Sequence, residues 1–142
     1  MKQQLVRVAA AVPRVHLAAP KKECGRNFKD CGRKQNAHVI LFPELCMTGY
    51  TCGDLFNQSL LVDSTRAQLV WLAKSIWSKI HFEGLVVVGA PVRADQQLFN
   101  CAVYLYQGCP VAVLPKINLP NYGEFNEKRW FVPASHRRSD VL

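Results

Sequence analysis

Val39-Ile40-Leu41-Phe42-Pro43-Glu44-Leu45-Cys46-Met47-Thr48-Gly49-Tyr50 is the stretch on which the reading of this 142-residue chain turns. Four apolar residues stop at a proline, and the next residue is a carboxylate. Small, polar and turn-forming residues follow: Thr48, Gly49, Tyr50, Thr51, Gly53 and Asp54. This pattern is a short buried strand whose end delivers an acid, Glu44, into a loop. A carboxylate at the mouth of an apolar strand is poorly solvated and placed to act as a base. In α/β proteins, the loops at strand ends are where chemistry is kept.

Outward from this stretch the chain alternates between strand and helix patterns. Leu5 to Val12 reads as a first strand, ended by Pro13. From Ser59 to about Ile80 the period is helical. Leu69, Leu72, Ile76 and Ile80 recur at helical spacing, with Val70, Ala73 and Trp77 beside them. Leu85-Val86-Val87-Val88 is a fully apolar strand, of the kind buried on both faces. Leu98 to Tyr106 and Cys109 to Leu114 are two more strands, and Gln107-Gly108 between them predicts a hairpin. Pro115 ends the last strand and Lys116 follows it. The expected order is β-α-β-α-β-β-β, an α/β fold.

One segment does not fit that order. Lys21 to Lys34 holds six basic and two acidic residues, two glycines, and a single large apolar residue, Phe28. Each glycine weakens a helix by about 1 kcal/mol, and no apolar stripe is visible for docking. The expectation is an irregular segment where a crossover helix belongs. Two accounts are open, a divergent insertion and a shifted reading frame. The second is preferred because the flanks read well on both sides.

Two segments together carry a resemblance. VILFPELCMTGY, Val39 to Tyr50, resembles the first catalytic motif of the nitrilase superfamily, the carbon–nitrogen hydrolases. VLPKINLPNYGEFNEKRWFVP, Val113 to Pro133, resembles its lysine motif. The form of both, with GDLF after the first and LPNYGEFNEKRWF in the second, is similar to the glutaminase domain of glutamine-dependent NAD synthetases. The resemblance covers most of residues 4–13 and 37–142. It implies a partial nitrilase-like α-β-β-α sandwich, with four layers on dimerisation in full-length members. It also implies that residues 1–142 are the first half of one glutaminase domain, without the synthetase domain.

The resemblance implies the chemistry as well. A cysteine attacks the side-chain amide of glutamine. Glu44 would serve as general acid and base, and Lys116 as the ammonium beside the developing oxyanion. Glu127 would support the lysine or the base, and an ordinary ion pair with its charged neighbours is the competing reading. Tyr50 and Tyr122 would line the substrate pocket, or serve as packing aromatics. The nucleophile of the family comes from a later strand end, so Cys46 is not expected to fill that role. The chain as it stands is expected to be inactive, either as part of an enzyme or as a non-catalytic fragment. A stand-alone amidase is the alternative within the superfamily. The hydrolase domain implies no cofactor; ATP and magnesium would belong to the synthetase domain. Implied partners are glutamine, the synthetase domain and further copies of the full-length protein.

Composition narrows the remaining classes. Hydrophobic residues make up 49% of the chain, enough for a packed core. The net charge of +8 is local: residues 1–37 hold nine Lys/Arg and two acids, whereas the rest holds nine and eight. A basic face for nucleic acid would not be confined to one segment. No run approaches the ~18 apolar residues of a membrane helix, and Arg7 interrupts what would be a signal-peptide core. A cytoplasmic protein is the expectation. The six cysteines lack the close pairing of a structural zinc site, so no metal is expected.

Overall fold

The computed structural model describes residues 5–139. Five strands form one sheet in chain order: β1 (Val8–Ala10), β2 (Val39–Leu41), β3 (Leu85–Ala94), β4 (Gln97–Tyr106) and β5 (Cys109–Pro115). The first three run parallel, and the last three alternate antiparallel. The result is a mixed five-strand α/β sheet.

Helices α1 (Pro20–Arg33) and α2 (Ser59–Ser75) cover one face of this sheet. There Ile40, Val86, Val88, Phe99, Cys101, Val103 and Leu105 meet Leu69, Leu72 and Ile76 in a single buried cluster. Alternate residues of β3 and β4 supply that face, as the two-residue strand period requires. Along α2, Leu69, Leu72 and Ala73 are buried as the helical spacing predicts, but Val70 and Trp77 stay partly exposed. The helix ends in a π-helical turn, Ile76–Ile80, and stops at His81 in the left-handed conformation.

Helix α1 overturns the expectation of an irregular segment at Lys21 to Lys34. Pro20 stands in its first turn, where a missing N–H costs nothing. Glu23 in the first turn and Arg33 in the last complement the helix dipole. The buried face is Pro20, Glu23, Cys24, Asn27 and Cys31, spaced at helical intervals. Lys21, Lys22, Lys29 and Arg33 all point outward. The stripe exists, but it is built from small and polar side chains, so a search for large apolar residues passes over it. The glycines cause no break, and the shifted reading frame loses its motive.

Two tight turns, at opposite ends of the strands, join the antiparallel part of the sheet. Asp95 and Gln96, both with positive φ, join β3 to β4. Gln107 and Gly108, again both positive, join β4 to β5, which is the turn type that suits the twist of a hairpin. The second hairpin is the one the sequence predicts. The first was hidden by Pro91, a residue that ordinarily argues against a strand.

Candidate active site

Glu44 and Lys116 follow strands that run in the same direction, so both emerge at the same edge of the sheet. They are not neighbours, as side-by-side parallel strands would make them: β3 and β4 lie between. At roughly 4.8 Å per strand, their strand axes stand about 14 Å apart. The loop after β2 closes that gap by crossing over β3 at Gly89. The Met47 amide donates to the Gly89 carbonyl at 3.1 Å, and the Phe42 amide donates to Val87 at 2.8 Å. A side chain at Gly89 would collide with the crossing backbone, so the glycine permits the approach.

The crossing sets the Glu44 carboxylate over β4 and β5. Its Oε1 accepts from Lys116 Nζ at 2.8 Å and from the side-chain amide of Asn100. Asn100 also accepts the Lys116 backbone amide on its carbonyl at 2.8 Å. One residue in the middle of β4 therefore braces both the acid and the lysine. Sequence reading missed Asn100. The signal available was an asparagine in an otherwise apolar strand, where a buried polar side chain needs a partner.

On its other side, Lys116 Nζ donates to both oxygens of Glu127, at 2.9 and 3.1 Å. Glu127 is buried and opens a 3-10 turn, Glu127–Arg129. Tyr50 donates its hydroxyl to Glu127 Oε1 at 2.7 Å. The ammonium thus lies between two carboxylates, one buried and one half-exposed. Partial burial pulls the Lys116 pKa down, but bonding to Glu44 and Glu127 more than offsets this, and the net shift is upward. Lys116 is held as a cation, suited to stabilising negative charge and unsuited to acting as a base. Burial, then the adjoining Glu127 carboxylate, pushes the Tyr50 phenol up, so it remains a donor.

Glu44, Asn100 and Lys116 line an open cleft of about 700 Å³, floored by Val87 and Gly89 and flanked by Leu41, Ala102 and Leu114. Tyr50 and Tyr122 stand outside that lining. Tyr122 is exposed and meets Phe125 edge-to-face at 5.7 Å, and Tyr50 meets Phe125 in the same manner at 6.3 Å. Tyr50 is a brace for Glu127, a role its position in the sequence did not suggest.

Thiols are absent from this hydrogen-bonded set. Cys46 is buried on the helix side and faces the Gly89 carbonyl and Asn27. Burial pushes its thiol up to about 11, and pushes Cys24, Cys31 and Cys101 up to about 12. Cys109 is exposed, but it opens β5, which Lys116 follows. About seven extended residues at ~3.3 Å each separate them by roughly 23 Å. Among the described residues, no group of three or more His, Cys, Asp or Glu side chains could hold a metal ion.

No protein-family model matches the chain. A glutamine-dependent NAD(+) synthetase from Mycobacterium tuberculosis is 31% identical over 138 residues, covering 96% of this chain and 20% of that protein. The chain therefore spans about a fifth of the length of the curated relatives it matches. A glutamine-dependent NAD+ synthetase from Acinetobacter baumannii, solved with adenosine diphosphate, superimposes with a TM-score of 0.80. It is 29% identical, over 91% of this chain and 24% of that one. A mutant amidase from Nesterenkonia sp. AN1, with an acetamide moiety added covalently at its active-site cysteine, shares the fold. There the TM-score is 0.71 and the identity 24%, over 91% of this chain and 48% of that one. The chain has the nitrilase-superfamily fold, and it matches the N-terminal portion of the glutaminase domain of glutamine-dependent NAD(+) synthetases.

Proposed function

We propose that this chain supplies the acid–lysine–acid part of a thiol-dependent amide hydrolase, and that the amide is the side chain of glutamine. The observation that carries this reading is the Lys116 ammonium fixed between Glu44 and Glu127. A hydrolase of this kind needs a base for a thiol proton and a fixed cation for an oxyanion. Glu44 is the base: it takes the proton as sulfur attacks, and returns it to the departing ammonia. The thioester is then cleaved by water that Glu44 deprotonates. Lys116 steadies the tetrahedral oxyanion in both halves, and Glu127 with Tyr50 keeps the ammonium in place. Asn100 holds one oxygen of Glu44 and leaves the other for the proton.

The likeness to NAD(+) synthetases supports glutamine as substrate and a synthetase domain as consumer of the ammonia. ATP and magnesium belong to that second domain, and the hydrolytic half requires neither. A full-length relative would act as a homo-oligomer in the cytoplasm. No nucleic acid or membrane enters this reading, and among the described residues no helix is long and apolar enough to cross a membrane. The structural likeness to amidases supports a second reading, hydrolysis of a simple aliphatic amide.

The nucleophile must come from outside the described residues, because none of their cysteines reaches the site as a reactive thiol. Ammonia release tests this. The 142-residue protein should release none from glutamine above background. A chimera that continues it with the cysteine-bearing remainder of a relative should release ammonia, and lose that activity on Glu44→Gln. Activity in the chimera that survives Glu44→Gln would remove the assignment. Activity in the short protein that survives Cys46→Ala would show that no nucleophile from outside these residues is needed, and activity lost on that change would make Cys46 the nucleophile. Preference for acetamide over glutamine would favour the second reading.

A further inference from the structure

The two stretches that mark this chain's branch in the sequence, Gly53–Phe56 and Asn126–Phe131, meet in the structure. Both oxygens of Asp54 are engaged. Arg129 Nε and Trp130 Nε1 donate to Oδ1 at 2.8 and 2.9 Å, and Arg129 Nη2 donates to Oδ2 at 3.0 Å. Beneath this, the buried Phe56 ring packs against Phe131 at 4.8 Å and Trp130 at 6.1 Å. Arg129 and Trp130 are the end of the 3-10 turn that Glu127 opens, and the amides of Trp130 and Phe131 donate back to the Glu127 carbonyl at 3.1 and 2.9 Å. The loop after Glu44 therefore grips this turn twice, through Tyr50 on the Glu127 carboxylate and through Asp54 on the turn's far side.

We propose that Asp54 is a positioning residue, which acts through Arg129 and Trp130 to set the Glu127 carboxylate on the Lys116 ammonium. The proposal rests on the reading of the site given above. The aromatic packing supplies cohesion, and the three bonds to Asp54 supply direction, since a bidentate arginine–carboxylate pair fixes an angle as well as a distance. An exposed ion pair contributes little stability on its own. The signature of Asp54 is thus a change at Lys116 without a matching loss of fold.

The test is residue-resolved acylation of the full 142-residue protein by an amine reagent, read by mass spectrometry, with Lys21 and Lys74 as internal references. In the parent, Lys116 should react slowly because two carboxylates hold it as ammonium. Asp54→Ala should raise its relative rate about threefold or more, and Asp54→Asn, which keeps an oxygen for Trp130, should fall between. The melting temperature should move little. Trp130→Phe removes the indole N–H and keeps a smaller aromatic ring beside Phe56, so it repeats the test if Asp54→Ala folds poorly. An unchanged Lys116 rate in Asp54→Ala and Trp130→Phe, with a raised rate in Glu127→Gln, overturns the positioning role and leaves the site reading standing. A Lys116 rate that Glu127→Gln leaves unchanged overturns the ion pair on which both readings depend.

Discussion

The backbone of Leu45 lies on Gly89 so closely that a Cβ added to Gly89 would stand 2.3 Å from the Leu45 nitrogen. The same added atom would stand 2.5 Å from the Pro43 carbonyl oxygen and 2.7 Å from the Glu44 carbonyl carbon. All three are backbone atoms, so no side-chain rotation relieves the clash.

Gly89→Ala should therefore be destabilising by about 2–3 kcal/mol, in the range of core overpacking. The loop carrying Glu44 should also be displaced. Denaturant unfolding measures the first effect. The second appears as loss of the amide-exchange protection that Met47 receives from the Gly89 carbonyl.

Lys116→Met should cost about 2–3 kcal/mol. The change leaves Glu127, buried with a side chain only 3% exposed, with Tyr50 as its remaining donor. A buried charge deprived of its partner is what makes such changes expensive. The double change Lys116→Met with Glu127→Gln should recover much of the loss, and a double-mutant cycle in denaturant reads the coupling.

The raised pKa of Lys116 predicts an alkaline limb. Its pKa in the folded protein lies above the ordinary value of 10.5. The stabilisation is fully present below about pH 10.5 and is lost as pH rises through the folded value. Melting temperature against pH should fall more gently above pH 10 in Lys116→Met than in the parent. Asp54 acts at the other end. Bonds from Arg129 and Trp130 hold its carboxyl at about 2, against an ordinary 3.8. Asp54 is exposed and its ion pair is screened by solvent, so the contribution, present above pH 3.8 and lost as pH falls toward 2, is small. Asp54→Asn should change the acid limb only slightly.

Thiol chemistry should be confined to Cys109, the exposed cysteine, while Cys24, Cys31, Cys46, Cys52 and Cys101 are buried. At pH 8, a disulfide reagent should modify one thiol rapidly and the other five only on unfolding. Cys109→Ser should abolish the fast phase. A second fast thiol would contradict the burial described.

What could be read in advance depended on which residues advertise themselves. Val39–Phe42 and Leu85–Val88 are apolar runs with clear stops, and the prolines at 43 and 115 point to Glu44 and Lys116 as strand-end residues. Helix α1 stayed hidden because Glu23, Cys24, Asn27 and Cys31 line its buried face, and those side chains look like surface or loop. The helix is docked by fit and by hydrogen bonds to its neighbours: the His16 amide donates to Glu23 at 2.8 Å, and the Cys24 thiol donates to the Gln68 carbonyl of α2 at 3.1 Å. Asn100 stayed hidden because its meaning depends on Gly89 letting the preceding loop cross to it. That crossing is a property of three dimensions that no spacing along the chain encodes.

The bonds that assemble the site join distant parts of the chain. Glu44 meets Lys116 across 72 residues and Asn100 across 56, while Tyr50 meets Glu127 across 77. Closing loops of this length is slow compared with forming a hairpin or a helix turn. The hairpins β3–β4 and β4–β5 need no such closure. During synthesis, then, the sheet can begin to form from its middle while Lys116 has no buried carboxylate to meet. Only when Glu127, 11 residues further on, has emerged can the ammonium acquire its second partner.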